Sequence, residues 1–401
     1  MKFGKRICAC ALGILAGIFP LLSSADGVRQ SFVQTDAVIP ADTVAVEDML
    51  AECTASSIIV TETSTGRVLF EKDSSEQREC SHFAKLMVLL LAAEKIDSGD
   101  ISLSDTATVS AYANSRQGTQ IWLDKGEKIT VEELVKSITV GNANDGCAAL
   151  AEYVCGSEED AVKLMNQRAE SLGMTSTVYT DSTGTEEGNL TSAADTEILC
   201  RELLKYRNMT EYLTCWLDNV RGGKAELVNL NRLVRTYKGV TGMKAWSGET
   251  AGSCTAVTAK RGDMSVCVVL LGCPTNEDRD AEAKRLLDLS FQTYEVYIPE
   301  IPEELKLEIK IAGGTKLKGR LEIAKLEPVI IPRGTYRSVE CVYTLEDTLS
   351  APVKKGDKAG EIVYTMGDET IAKGKIVSAE NVDKMDLHCG FEKLMYNLLN
   401  M

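Results

Sequence analysis

The sequence predicts an α+β fold in which a larger domain of strands and helices precedes a small all-β module. Strand-like runs lie at both ends of residues 55–296 with helical stretches between them, an arrangement that suggests a mixed sheet covered by helices. Residues 297–304 contain Pro299 and Pro302, and proline, which removes a donor and stiffens the chain, gives this segment linker character. Beyond it Leu305, Leu307, Ile309 and Ile311 alternate with polar residues, the period of a half-buried strand. A length of 401 residues fits two such units better than one.

The first element reads as a secretory signal over residues 1–25. Lys2, Lys5 and Arg6 precede an apolar run from Ile7 to Leu22, and Ser23-Ser24-Ala25 offers small residues for cleavage. The run is short and Pro20 interrupts it, which argues against a membrane span. Residues 26–54 read as a leader. Ser57 to Glu62 and Arg67 to Glu71 then form a hairpin turned by Ser64-Thr65-Gly66. Ala84 to Ile96 is apolar on nearly all faces, so it predicts a central buried helix that Gly99 ends. Thr130-Val131-Glu132-Glu133 has capping-box form and starts a helix to about Val140. After the loop Gly141-Asn142-Ala143-Asn144, Asp145 is suited to cap another through Tyr153.

Glu158 to Leu172 and Ser192 to Lys205 are two further helical stretches. Cys254 to Lys260 and Met264 to Leu271 read as strands joined by Arg261-Gly262-Asp263, followed by a helix from Asp280 to Tyr294. The β module of residues 305–382 shows further strand runs at Ser338 to Tyr343, Glu361 to Thr365 and Lys373 to Val377. Residues 383–401 close the chain with Phe391, Leu394, Met395, Leu398 and Leu399 at helical spacing, an amphipathic helix too short to cross a bilayer.

The formal charge is −15, and removal of the signal's three bases takes it to −18. Such a surface repels nucleic acid, which is excluded as a partner. Of 13 cysteines, Cys8 and Cys10 lie in the signal, and the odd number remaining cannot all pair within one chain. Buried free thiols are the expectation for most of them. With no CxxC pair after the signal and only His82 and His388 as histidines, no metal site is expected, and no cofactor.

Several runs, in order, resemble the low-molecular-mass penicillin-binding proteins, the serine-type D-alanyl-D-alanine carboxypeptidases of peptidoglycan trimming. They include Thr65-Gly66-Arg67-Val68-Leu69-Phe70-Glu71, Leu150-Ala151-Glu152, Met165-Asn166, Leu172-Gly173-Met174, Asn229-Leu230-Asn231-Arg232-Leu233 and Gly239-Val240-Thr241-Gly242-Met243-Lys244. The C-terminal runs Ala351-Pro352-Val353-Lys354-Lys355-Gly356 and Gly360-Glu361-Ile362-Val363 are similar to the module this family carries. The resemblance implies a penicillin-binding-protein/β-lactamase-like domain, an antiparallel sheet with a helical cluster, followed by a small all-β domain.

That family performs acyl transfer with the motifs SxxK, SxN and KTG. Here the first falls on Cys80-Ser81-His82-Phe83-Ala84-Lys85, which keeps Lys85 but places His82 where the resemblance implies the serine. The second falls on Asn142-Ala143-Asn144, keeping Asn144 and substituting Asn142 for the proton-relaying serine. The third falls on Lys244-Ala245-Trp246, keeping Lys244 but losing a hydroxyl at Ala245 and a glycine at Trp246. Without the serine no acyl-enzyme oxygen exists there, and nucleophile loss ordinarily costs several orders of magnitude in rate. An indole on the strand bordering the cleft should narrow or plug the groove.

Lys85 can act as a base or be a buried cation held by carbonyls or by Asn144. His82 can act as nucleophile or base, although no orienting partner for it is evident in the sequence. Ser81, four residues before Lys85, is a shifted candidate nucleophile, rotated about one hundred degrees around a helix from position 82. The acids Glu158-Glu159-Asp160 read as a solvated helix face. The signal predicts an exported, extracytoplasmic protein, at the cell wall or the outer face of the cytoplasmic membrane, and the substitutions predict that it binds peptidoglycan stem peptide or a cell-wall protein without cleaving it. The alternative is an active carboxypeptidase with a Ser81-Lys85 dyad. Residues 384–400 can make peripheral membrane contact as the family's tether does, although Asp386 and Glu392 weaken attraction to anionic lipid.

Overall fold

The computed structural model describes residues 50–386 and residue 391. The signal and most of the leader therefore lie outside the described residues, as does the closing helix apart from its first four positions and Phe391.

The central sheet starts with β1 (Ser57–Glu62) and β2 (Arg67–Lys72), the expected hairpin. The Glu62 carboxylate is buried and accepts from Ser64 Oγ, Thr65 N and Thr65 Oγ1, which fixes the turn. Helices α1 (Ala84–Asp97), α2 (Val131–Thr139), α3 (Asn144–Cys155), α4 (Glu158–Leu172) and α5 (Ala193–Leu203) follow. The chain then forms a hairpin of β3 (Leu217–Val220) and β4 (Ala225–Val228) before returning to the sheet. There it adds β5 (Val240–Gly242), β6 (Ala245–Gly248), β7 (Gly252–Arg261) and β8 (Met264–Cys273). The antiparallel order is β6-β7-β8-β1-β2, with β5 also pairing with β7.

Strand β1 is buried along its whole length because the sheet is covered on both faces. Ile59, Cys267 and Val269 face the cluster containing α1, whereas Ile58, Val60, Val266 and Val268 face α6 (Asn276–Thr293) through Ala283, Leu286 and Leu287. Helix α1 has Leu86, Met87, Leu89 and Leu90 all at 1% exposure or less, as its all-round apolar sequence requires.

Three sequence expectations change locally. Helix α3 is preceded by Ala143, not capped by Asp145, whose carboxylate instead accepts from Ile121 N at 3.1 Å and Leu123 N at 3.0 Å. Helix α6 stops at Thr293, and Tyr294–Tyr297 forms β9, so Tyr297 closes a strand rather than opening a linker. Glu158 is half-buried and accepts from Ser182 N and Oγ, so of the three acids starting α4 only Glu159 and Asp160 are exposed.

The second domain contains β10 (Glu308–Ala312), β11 (Lys318–Ile323), β12 (Val329–Pro332), β13 (Val339–Leu345), β14 (Thr348–Ser350), β15 (Lys358–Met366) and β16 (Glu369–Ser378). Its sheet has the order β13-β15-β16-β11-β10-β14, and Ile309, Ile311, Leu321, Ile362, Tyr364 and Ile376 fill its core. Strand β12 instead pairs with β9, from Tyr294↔Pro332 to Tyr297↔Val329, and Arg67 Nη1 donates to Ile330 O at 2.8 Å. Asp383–Asp386 is extended, with Thr315 N donating to Asp383 O and Met385 N to Gly313 O, so no helix begins at 383.

Candidate active site

Ser81, His82 and Phe83 form a 3-10 turn immediately before α1. Ser81 has φ +39°, and Gly184 packs so closely that a Cβ there would fall 1.8 Å from Ser81 O. Ser81 is therefore not on the helix, and the helical relation to Lys85 inferred from spacing does not apply. Lys85 lies in the first turn of α1 and is fully buried.

The Lys85 amine is surrounded by acceptors. Its Nζ is 2.8 Å from Asn142 O, 2.6 Å from Asn144 Oδ1 and 2.6 Å from His82 Nδ1. An ammonium has three hydrogens and no lone pair, so these contacts match it one for one. Asn142 Nδ2 also approaches His82 Nδ1, at 3.2 Å. Two donors converging on one ring nitrogen make Nδ1 an acceptor and leave the hydrogen on Nε2. Lys85 and Asn142 are thus the orienting partners of His82, the latter sixty residues away and invisible to local spacing.

Asn144 completes the lattice, donating from Nδ2 to Gln117 O at 2.5 Å and from its backbone to Thr119 O at 2.7 Å. Lys244 is buried on the other side and donates to Ile138 O at 2.6 Å. Burial, with repulsion from Lys85 and Lys244, lowers the His82 pKa to about 2. Burial likewise lowers the Lys85 pKa, and the Lys244 value falls to about 8. Burial raises the Cys147 thiol to about 12, with Lys85 opposing, so Cys147 stays protonated near neutrality.

Trp246 is only 2% exposed. Its ring centroid lies 5.7 Å from that of His82 and 6.0 Å from that of Phe83, the latter edge to face. Gly248 makes room for it, since a Cβ there would come within 3.0 Å of Trp246 Cζ3. Among the described residues Trp246 Nε1 has no hydrogen-bond partner. Ala245, also buried, pairs with Thr255 across β6 and β7 and offers no side-chain donor.

The loop crossing the start of α3 carries a feature that spacing did not single out. Trp122 has φ +56° and is 67% exposed, between the buried residues Ile121 and Leu123. Arg221 Nη1 donates to Ile121 O at 2.9 Å and Trp122 O at 2.6 Å, while Glu127 takes the Arg221 Nε and Nη2 hydrogens. A left-handed backbone at a non-glycine residue costs about 1–3 kcal/mol and persists where the surroundings over-determine it.

The sequence profile of D-alanyl-D-alanine carboxypeptidases matches residues 42–275. The chain belongs to the D-alanyl-D-alanine carboxypeptidase family. The C-terminal domain of penicillin-binding protein 5 matches residues 305–384. D-alanyl-D-alanine carboxypeptidase DacF of Bacillus subtilis (strain 168) is 35% identical over 337 residues, covering 82% of this chain and 86% of its own. DacC of Escherichia coli (strain K12), another carboxypeptidase, is 30% identical, covering 82% and 84% respectively. Penicillin-binding protein 5 of Haemophilus influenzae superimposes with a TM-score of 0.73 over 87% of this chain and 100% of its own, at 23% identity. This carboxypeptidase-family chain has the α+β fold with a following β domain that its sequence predicted.

Proposed function

We propose that this family member acts in peptidoglycan metabolism outside the cytoplasm as a non-catalytic binding or scaffolding protein. The contact between Lys85 Nζ and His82 Nδ1 carries the reading. In a serine enzyme the amine takes a proton from a hydroxyl that then attacks carbon. Here the amine donates to a ring nitrogen, and the nitrogen's lone pair is already engaged by Lys85 and Asn142. The His82 Nε2 carries a hydrogen, and the low His82 pKa makes the ring a weak base. Ser81 has no hydrogen bond to Lys85, whose donors are already met by His82, Asn142 and Asn144. Trp246 packs against His82 in place of the glycine that would admit substrate. Stem peptide or a cell-wall protein is the proposed partner, the signal at residues 1–25 supports export, and residues 384–400 offer a membrane-surface contact.

The test incubates the purified protein with a fluorescent penicillin and, separately, with a peptide ending in D-Ala-D-Ala. The expected result is no covalent adduct by mass spectrometry and no alanine release. An adduct on Ser81, abolished in Ser81→Ala, would establish the shifted dyad instead.

A further inference from the structure

We infer that Trp122 is a preformed stacking platform for the neutral N-acetylated sugar units of a glycan strand, on the loop that bonds to the start of α3. The inference rests on the non-catalytic reading above and departs from it in the partner, naming the glycan rather than the stem peptide as the part of peptidoglycan that a non-cleaving member would hold.

Trp122 is presented rather than left over. The segment it belongs to is clamped from two sides: Asp145 accepts from Ile121 N and Leu123 N, and Arg221 donates to Ile121 O and Trp122 O. Asp145 is itself 1% exposed, and its helix also supplies Asn144, so the clamp is continuous with the floor of the site. The backbone is fixed in a left-handed conformation whose effect is to turn a large ring outward between two residues that point in. Rigid aromatic anchors that bind without further ordering are what recognition surfaces favour.

The occupant follows from what the neighbouring groups leave open. The polar groups that would grip a peptide terminus are already used: Lys85 by its three acceptors, Lys244 by Ile138 O, and Asn144 by Lys85 and Gln117. Trp246 occupies the space beside them. A chain of formal charge −15 also disfavours a free carboxylate. Peptidoglycan has two chemistries, an ionised peptide and a glycan, and the apolar C–H face of a neutral hexosamine suits an indole in water.

The experiment titrates the whole protein with peptide-free glycan chains, made by amidase digestion of peptidoglycan, and with the released stem peptides, following binding by calorimetry. Wild-type protein should bind the glycan chains, Trp122→Ala should weaken this at least tenfold, and Trp122→Phe should weaken it less. The melting temperature of Trp122→Ala should match wild type, since the ring is exposed. Equal glycan affinity in Trp122→Ala, absence of glycan binding, or binding of stem peptide alone would overturn the proposal. Alanine release or a penicillin adduct on the same preparation would instead overturn the non-catalytic reading, leaving the glycan comparison to stand by itself.

Discussion

Lys85 Nζ lies 2.6 Å from His82 Nδ1, so a lysine and a histidine one helical turn apart share a single hydrogen. The pair is stable only while the imidazole remains neutral, because a protonated ring would point N–H at an ammonium.

Acid stability should report this directly. The unfolded His82 takes a proton below about pH 6.5, whereas the folded ring resists it down to about 2. Across that window the unfolded state binds more protons, so His82 makes stability fall as pH falls, by up to about 1.4 kcal/mol per pH unit. Above pH 6.5 its contribution is complete and flat. His82→Gln, which can still accept from Lys85, should show a shallower loss between pH 6 and pH 3 in urea titrations. Parallel curves for the two proteins would refute the buried neutral imidazole.

Restoring the oxygen alone should not restore chemistry. His82→Ser provides a hydroxyl beside Lys85, yet Trp246 still fills the space next to it. Acylation by penicillin should stay at background in His82→Ser and rise at least a hundredfold when Trp246→Gly and Ala245→Thr are added. Full labelling of the single variant, read by mass spectrometry, would show that Trp246 is no obstacle.

Trp246 should also matter for folding. Its truncation to alanine removes a ring that is 2% exposed and leaves a cavity, a change worth about 3–5 kcal/mol. Trp246→Phe should cost far less, since it keeps an aromatic contact with Phe83 and deletes an N–H that has no partner among the described residues. Chemical denaturation separates the two, and equal losses would contradict the packing described.

The fold was legible because its strongest signals are local. A continuous apolar run marked α1, the turn residues Ser64-Thr65-Gly66 marked the hairpin of β1 and β2, and the Thr130 capping box marked the start of α2, with both of its hydrogen bonds formed. Strand β9 was hidden because its partner, β12, lies across the linker and supplies the pairing that ends α6. The residues of the candidate site were legible through their motif spacing, and so was Lys85 as a buried amine held by a carbonyl and by Asn144, but the partners of His82, Asp145 and Ser81 were not. Asn142 meets His82 from another helix boundary, Asp145 serves a loop two dozen residues upstream, and Ser81 turns through a left-handed conformation that spacing assigned to a helix. Trp122 went unread for the same reason: exposure and backbone hand are tertiary properties.

The ladder between β9 and β12 has a mechanical consequence. Force drawing the β module away from the larger domain meets paired backbone at four positions, reinforced by the Arg67 guanidinium on Ile330 and by Tyr364 Oη on Glu300 O. The junction therefore behaves as a brace rather than a swivel, and a load on one unit is carried into the sheet of the other.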